Sequence, residues 1–407
     1  SDPVCRAATM SRRDASVPLD PAVAVAGLLT RLGIFSLIVL VPMLAIISRR
    51  AVAVFVPLAT ILLFLAAALD GRIGQTFLRS LRKLGSFPAI AIVALLLFAT
   101  ASLLWTPRFD AAADRLLALT ATLALILATV AALPEKTRPS DANLAPIGVA
   151  MATVTLAASF LPGLPLGDVI GPGSATETQR AAMLLVMLVW PATAALLARN
   201  RLWPAWAIAA VLALALWLVR DLVVMAAFVL SGAAFLGALW RPILTIRIAG
   251  ALALAFLLLA PGLGWLMSVY GGFLIPSQGD ETVAVWRDVT HAIPSRPGLG
   301  WGFEASASLV RTISNTPLGS PRNAGLQLWL ELGAVGVVLA TIAIIVGLRA
   351  IERSSLILRP TAIAVFVAAA TMMFGGLAAW SVAWVTAIGL AVILTAFVGR
   401  IRPRLRA

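Results

Sequence analysis

The side chains that could do chemistry are concentrated in one polar stretch, from Gly271 to Asn323, and in the apolar segment that follows it. The stretch carries the sole histidine of the sequence and closely spaced glycines and prolines. Its ionisable side chains are Asp280, Glu281, Arg287, Asp288, His291, Arg296, Glu304, Arg311 and Arg322. Elsewhere the chain alternates long apolar runs with short connectors. Because a long polar loop is where a membrane protein can work in water, we place the candidate site here.

The composition indicates an all-α, polytopic transmembrane helical bundle. Of the 407 residues, 61% are hydrophobic and 12% are charged, about half of the roughly 25% charged residues in soluble domains. Many apolar runs reach the roughly 18–20 residues that cross a bilayer as a helix. A membrane β-barrel would instead show alternating segments of about ten residues.

We predict about twelve spans, and their connectors predict the orientation. The spans lie near 34–48, 51–69, 88–105, 115–133, 143–162, 181–199, 203–219, 221–240, 244–267, 323–348, 360–379 and 383–399. They divide the chain into a cytoplasmic N-terminal segment (1–33), transmembrane helices 1–9 (34–270), a periplasmic loop with short helices (271–322), helices 10–12 (323–400) and a basic cytoplasmic tail (401–407).

Basic residues set the cytoplasmic side of this topology. Arginines and one lysine follow the second, sixth, eighth, tenth and last spans, all on one side of the membrane; they include Arg72, Arg79, Arg82, Lys83, Arg199, Arg201, Arg241, Arg247, Arg349, Arg353 and Arg359. The positive-inside rule makes that side cytoplasmic. Arg49 and Arg50 break the pattern. Anionic lipids, rather than nucleic acid, then account for the net charge of +14.

Outside the loop, three places on its side of the membrane carry charge close to the bilayer: Arg108 to Arg115, Arg180, and Arg220 with Asp221. Arg180 and Arg220 are further site candidates. Arg180 precedes the sixth span, and Arg220 with Asp221 interrupts an apolar run from Leu202 to Trp240. A charge costs roughly 2.5–3.5 kcal/mol at mid-bilayer on insertion scales and much less near the interface. The pair could simply mark a tight turn. We favour a functional role for Arg220 facing a polar cavity, since a turn does not require an arginine.

Several stretches together resemble the O-antigen ligase and Wzy-type polymerase superfamily. Pro321-Arg-Asn-Ala-Gly-Leu-Gln-Leu-Trp-Leu-Glu-Leu-Gly-Ala-Val-Gly336 is similar to the family pattern PHN-x-x-LQ-x-x-x-ELG-x-x-G. Val285-Trp286 followed by Arg296-Pro-Gly-Leu-Gly-Trp-Gly-Phe303 resembles its W…PllGwG segment. Ala101-Ser-Leu-Leu-Trp-Thr-Pro107 and Gln179-Arg-Ala-Ala-Met-Leu-Leu-Val-Met-Leu-Val-Trp-Pro191 are similar to two more family stretches, lSllWSp and NRaa…WP. The shared order covers about residues 95–345.

The resemblance implies a metal-independent glycosyltransferase of the bacterial inner membrane with a GT-C-like bundle. Such an enzyme takes a glycan from undecaprenyl pyrophosphate on the periplasmic face and passes it to a lipid or glycan acceptor. It needs no cofactor. A single cysteine and a single histidine also make a metal site unpromising.

Arginine suits a pyrophosphate leaving group because its planar, permanently charged fork matches phosphate oxygens. The candidate catalytic residues are Arg220, Arg322, Arg287 and His291, and Arg180 is a candidate donor-binding residue. Arg296 and Arg311 are interpreted as solvated.

The sequence also departs from the family pattern. Arg322 stands where the family has a histidine, Ser320 where one branch has another, and Thr282 where an arginine is expected. Arginine cannot act as a general base. The general base is then His291, Asp288 or Glu304, or the reaction uses no general base.

Further polar residues are candidate substrate contacts. Asn323, Gln327 and Glu331 follow at i, i+4 and i+8 on one face of a helix, where they line a cavity or bond neighbouring helices; for Glu331 we favour the second role. Glu304 and Trp301 are also candidate substrate contacts. The glycines 298, 300 and 302 predict a tight turn that packs the loop on the bundle, with Trp301 anchored at the interface.

His291 is expected on a short helix after Trp286, either as a solvated residue or in the site. Two other function classes remain open: a lipid-linked glycan transporter or flippase, and a family member without activity. A transporter predicts repeated halves and broken spans that carry charge. An enzyme predicts that Arg180, Arg220 and Arg322 converge on one cavity.

Overall fold

Helices make up the described part of the protein, and no strand occurs in it. The computed structural model describes residues 21–47, 49–134, 141–160, 175–274, 279–307, 309, 321–356, 358–376 and 379–400. The helices are α1 (Pro21–Phe35), α2 (Val41–Ile47), α3 (Arg49–Leu69), α4 (Ile73–Leu84), α5 (Phe87–Ser102), α6 (Phe109–Ala132), α7 (Leu144–Ala158), α8 (Ala175–Leu197), α9 (Leu202–Val219), α10 (Leu222–Trp240), α11 (Pro242–Leu258), α12 (Ala260–Leu274), α13 (Gly279–Ala292), α14 (Ala324–Glu352), α15 (Arg359–Gly375) and α16 (Val382–Val398).

The helices identify a multi-pass, all-helical membrane protein with fewer full-length spans than predicted. Six helical stretches are long and apolar enough to cross a bilayer, and two bent pairs, α4–α5 and α11–α12, bring the number to eight if each counts as one span. Four other predicted spans correspond to apolar helices of at most 17 residues: Val54–Leu69, Leu144–Ala158, Arg359–Gly375 and Val382–Val398. By length and composition the described residues thus show six to eight candidate spans, and the prediction of about twelve is confirmed only in part.

Two predicted boundaries differ from the structure. The first apolar stretch runs from Ala22 to Ile46, so residues 22–33 of the segment predicted as cytoplasmic (1–33) are helical and belong to that stretch. The predicted span 244–267 is two helices bent by 67° at Leu259. Pro261 explains the bend because proline lacks an amide hydrogen and disfavours helical geometry in the residue before it.

Basic residues gather at one end of the bundle, here called the basic end. The ammonium of Lys83 on α4 donates to the carbonyl of Val130 on α6 at 3.3 Å, and Arg400 after α16 donates to the same carbonyl at 3.0 Å. Arg199 after α8 donates to Asn143 before α7. Lys83 and Arg400 thus satisfy a carbonyl that the C-terminus of α6 leaves without a partner.

The opposite end, here called the loop end, is assembled from polar contacts. Asp221 caps α10 by accepting from the amide of Val224 at 2.9 Å, and it also accepts from Gln179 on α8. Asn323, which precedes α14, donates to the carbonyl of Phe374 near the end of α15 at 3.0 Å. The polar stretch 279–307 lies at this same end, where Glu304 pairs with Arg115 of α6.

Candidate functional site

The glycine-rich turn of the polar stretch inserts into a break in helix α14. At Gly333 the helix has φ +60°, and its backbone ladder opens. The amides of Trp301 and Gly302 donate to the carbonyls of Leu330 and Glu331, both at 2.9 Å. In return the amide of residue 334 donates to the carbonyl of residue 297 at 2.8 Å. We call this exchange of backbone hydrogen bonds the joint.

Steric limits explain why the joint is built of glycines. Gly300 and Gly302 have φ values of +71° and +100°, which side-chain-bearing residues rarely adopt. A Cβ on Gly302 would lie 2.7 Å from the Cα of Thr106, and one on Gly333 would lie 2.6 Å from the amide nitrogen of Gly300. The prediction of a tight turn that packs the loop on the bundle is confirmed.

Glu331 is the polar centre of the joint and is fully buried. Its carboxylate accepts from the hydroxyl of Ser306 at 2.7 Å, the amide group of Gln327 at 3.1 Å, the indole of Trp380 at 2.6 Å and the backbone amide of Glu304 at 3.0 Å. Four donors from three segments satisfy the charge that burial would otherwise penalise. Glu331 therefore holds the loop in place, the role favoured from the sequence.

Glu304 combines partial exposure with an unusual backbone. Its φ is +59°, its side chain is 17% exposed, and it lies 3.5 Å from Arg115. Burial raises the pKa of this carboxyl above its ordinary value of 4.5, and Arg115 partly opposes that rise. A left-handed backbone costs a residue with a Cβ roughly 1–2 kcal/mol, and such strain is concentrated at functional sites.

Asn323 and Gln327 lie on the same face of α14 as Glu331, as predicted, and bond neighbouring segments. The side-chain oxygen of Asn323 accepts from the amide of Leu326 at 3.1 Å, which makes it the N-cap of α14. The side-chain oxygen of Gln327 accepts from the amide of Ala379 at 2.8 Å. Their geometry supports the bonding role, and their role as substrate contacts stays a prediction.

The candidate arginines Arg180, Arg220 and Arg322 all lie at the loop end and are exposed. Arg220 ends α9 with φ +56°, a position where helices usually place glycine. Arg322 has φ +48°. Three contacts link the segments that carry these arginines. Gln179 on α8 donates to Asp221 before α10, and Asn323 before α14 donates to Phe374 on α15. Between them, the side chain of residue 223 on α10 packs close to residue 375 on α15.

An apolar cavity of about 640 Å³ opens beside Arg180. Its walls come from α2, α3, α6, α8 and α16, and Arg180 is the charged residue among the described side chains that line it. Thr122, Ile126, Leu184 and Thr386 are among the others. Arg220 and Arg322 do not line it, so the convergence of the three arginines on one cavity is not observed here. On α6, residues 115, 122 and 126 share one stripe of the helix, so the Arg115–Glu304 pair lies on the cavity side of α6, nearer the loop end.

The remaining candidates lie on or near α13, the short helix predicted around His291. His291 is exposed and Arg287 is half-buried. Asp288 has a buried carboxylate oxygen without a hydrogen-bond partner. The indole of Trp301 donates to the carbonyl of Ala292 at 3.2 Å, and the guanidinium of Arg296 stacks on its ring at 4.5 Å. Trp301 thus anchors the loop to α13. Asp280 and Glu281 have no described side chain, and Arg311 and Ser320 lie outside the described residues.

Three participants were missed from the sequence: Arg115, Ser306 and Trp380. Each of these side chains contacts a residue that is distant in the sequence, and almost half of the chain separates Arg115 from Glu304. The one local signal was a cation close to the end of an apolar run, at Arg115 in the stretch from Arg108 to Arg115.

Among the described residues, no three His, Cys, Asp or Glu side chains lie close enough together to hold a metal ion. In comparisons with known proteins, no family model matches the chain, and no curated sequence matches it significantly.

Proposed function

We propose that this protein is a glycosyltransferase of a bacterial inner membrane that takes a glycan from an undecaprenyl-pyrophosphate donor at the loop end. The acceptor is a lipid, as in a ligase, or another lipid-linked glycan, as in a polymerase. The loop end then faces the periplasm and the basic end the cytoplasm, in accord with the positive-inside rule.

The observation that carries this proposal is the cavity beside Arg180. It joins an apolar volume of about 640 Å³ to a guanidinium at the loop end, and a lipid-linked diphosphate needs both features. The apolar walls suit part of a polyprenyl chain, and the arginine suits the phosphate at its head.

Backbone strain supports a functional role for the two other arginines. Arg220 and Arg322 both hold left-handed φ values, a conformation that glycine adopts without cost. Since a glycine would relieve the strain at Arg220, the arginine side chain there is better explained by its charge. Guanidinium groups fixed at the loop end would stabilise the negative charge that grows on a departing pyrophosphate.

The bend between α11 and α12 lacks the charge that a transporter would place at a broken span. Transporters place charged or polar groups at the breaks of discontinuous spans. The break between α11 and α12 lies at Leu259 and is followed by Ala260 and Pro261, none of which carries a charge. The break in α14 does lie two residues after a charged side chain, Glu331, but four structural donors occupy that carboxylate.

The test replaces an arginine at each end of helix α9 in a strain that lacks the gene. Arg220→Ala should abolish surface glycan, because it removes a cation from the loop end, while the protein still inserts in the membrane. Arg201→Ala is the matched control at the basic end and should restore glycan fully. Arg220→Gly separates charge from backbone, since it keeps the left-handed turn without strain and should also be inactive.

The glycan of the deletion strain distinguishes the two acceptors. Surface lipid without any glycan means a ligase, and surface lipid limited to one repeat unit means a polymerase. An unchanged surface glycan after deletion, or full restoration by Arg220→Ala, would refute the proposal.

A further inference from the structure

The candidates for a general base differ sharply in how the structure places them. Arg322 cannot be deprotonated. Glu331 is fully buried and accepts from four donors, so its carboxylate is occupied by structural contacts. Asp288 is partly exposed, and one of its carboxylate oxygens is buried and has no hydrogen-bond partner among the described residues. His291 is exposed, and its side chain makes no hydrogen bond with another described residue.

Glu304 is placed differently from all of these. Its carboxylate is enclosed enough to be partly desolvated, yet 17% of its side chain stays accessible. Its position is fixed from two sides. Its backbone amide donates to Glu331 at 3.0 Å, and its carboxylate lies 3.5 Å from Arg115. A base works best when it is held in place and still reachable by the proton that it takes.

The surroundings connect Glu304 to the apolar cavity. Glu331, which binds the amide of Glu304, also accepts from Trp380 at 2.6 Å. Two residues after Trp380 the chain enters α16, whose first residues, Val382 and Ala383, line the cavity. Arg115 shares a stripe of α6 with two other lining residues, at positions 122 and 126. Glu304 does not itself line the cavity, and it is connected to the cavity wall through Glu331 and Trp380.

We propose that Glu304 is the catalytic base of the transfer and that Arg115 is its positioning residue, an inference that rests on the proposed function. The acceptor hydroxyl oxygen attacks the anomeric carbon of the donor sugar. The bond from that carbon to the phosphate oxygen breaks, and the pyrophosphate leaves with the electron pair. The hydroxyl proton passes to the carboxylate of Glu304.

The pKa of Glu304 fits this role. Burial raises it above 4.5, toward the pH at which the protein works, and the catalytic power of a base is greatest when its pKa lies near the working pH. Arg115 from α6 is the charged group that lowers this pKa, and the carboxylate of Glu331 from α14 accepts from the backbone amide of Glu304. Arg115 favours the ionised form, which is the form that accepts a proton.

The experiment uses the full-length protein in lipid nanodiscs, with two readouts. The first is transfer of a glycan from the purified lipid-linked donor, measured against pH. The second is binding of farnesyl pyrophosphate, a short polyprenyl pyrophosphate, which requires no base. Glu304→Gln should lower the transfer rate by roughly 10²–10⁴-fold, the usual share of a general base, and leave binding of the probe within twofold.

Two further variants separate catalysis from a structural role. Glu304→Asp retains a carboxylate in a residue that tolerates the left-handed backbone, so it should restore part of the rate and the rise of rate with pH. The residual rate of Glu304→Gln should lose that rise. Arg115→Met should keep probe binding and shift the pH at which the rate rises to higher values, because the ionised base loses its cation.

Each result bears on the proposal. A Glu304→Gln protein that transfers glycan within twofold of the unaltered protein overturns the base assignment and leaves the proposed function intact. A variant that loses probe binding along with transfer also overturns it, since the role is then structural. If the unaltered protein transfers no glycan, both the base assignment and the proposed function are refuted.

Discussion

Replacing Gly300 by alanine should release the glycine-rich turn from helix α14. Gly300 has φ +71°, and an added Cβ would lie 2.5 Å from the carbonyl carbon of Glu331 and 2.6 Å from the amide nitrogen of Gly333. Both of these are backbone atoms of the helix, so no side-chain rotation relieves the clash. Gly298 offers a matched control in the same turn, because a Cβ there would meet nothing within 4 Å.

The expected loss follows from the contacts at the joint. A left-handed backbone costs alanine roughly 1–2 kcal/mol. The two hydrogen bonds from Trp301 and Gly302 to the helix contribute about 0.5–1.5 kcal/mol each. Gly300→Ala should thus weaken the joint by about 2–5 kcal/mol, while Gly298→Ala should change it little.

Hydrogen–deuterium exchange in nanodiscs measures this loss directly. The amides of Trp301 and Gly302 are protected by the joint, so they exchange when it opens. A weakening of about 2 kcal/mol corresponds to roughly 30-fold faster exchange, since about 1.4 kcal/mol is a factor of ten. Equal exchange rates of these two amides in Gly300→Ala and Gly298→Ala would show that the turn does not insert into the break in α14.

Two further predictions concern the carboxylates. Glu331→Gln leaves one or two of the four buried donors without an acceptor, at about 1–3 kcal/mol each. It should lower the melting temperature in detergent, whereas the control Glu352→Gln at the other end of α14 should not. Equal melting of the two variants would contradict this. Because burial raises the pKa of Glu304, the folded protein binds that proton more tightly than the unfolded chain. Stability should therefore fall as the pH rises from about 4.5 through the raised pKa. Glu304→Gln should lose this component of the pH dependence of urea unfolding; profiles parallel to those of the unaltered protein would refute it.

Much of the architecture could be predicted because local sequence decides it. Apolar length and the positions of arginine identify the helices and the basic end, and the spacing of Gly298, Gly300 and Gly302 identifies the turn. The i, i+4, i+8 spacing that ends at Glu331 identifies one polar face of α14. Each of these patterns lies within a few turns of one helix or within one loop, so no knowledge of the packing was required.

The errors and omissions arise where packing or a single residue overrides the pattern. The prediction of a single span over residues 244–267 rested on the count of apolar residues. It overlooked Pro261, which was the signal for the bend. Nothing near Gly333 in the sequence predicts that a helix breaks to receive a loop, because the break is stabilised by amides about 30 residues earlier. The Arg115–Glu304 pair and the cavity walls come from distant segments, and only the fold brings them together.

The walls of the apolar cavity have a consequence for biosynthesis. Helix α16 follows α2, α3, α6 and α8 along the chain, so a ribosome makes the last of these walls after all the others. Membrane helices that emerge earlier can associate while the pocket still lacks one side. Trp380, which precedes α16, also arrives late, and the buried carboxylate of Glu331 gains its fourth donor at that point. The nascent protein thus completes the apolar cavity and the last hydrogen bond that holds its loop in one late step of translation.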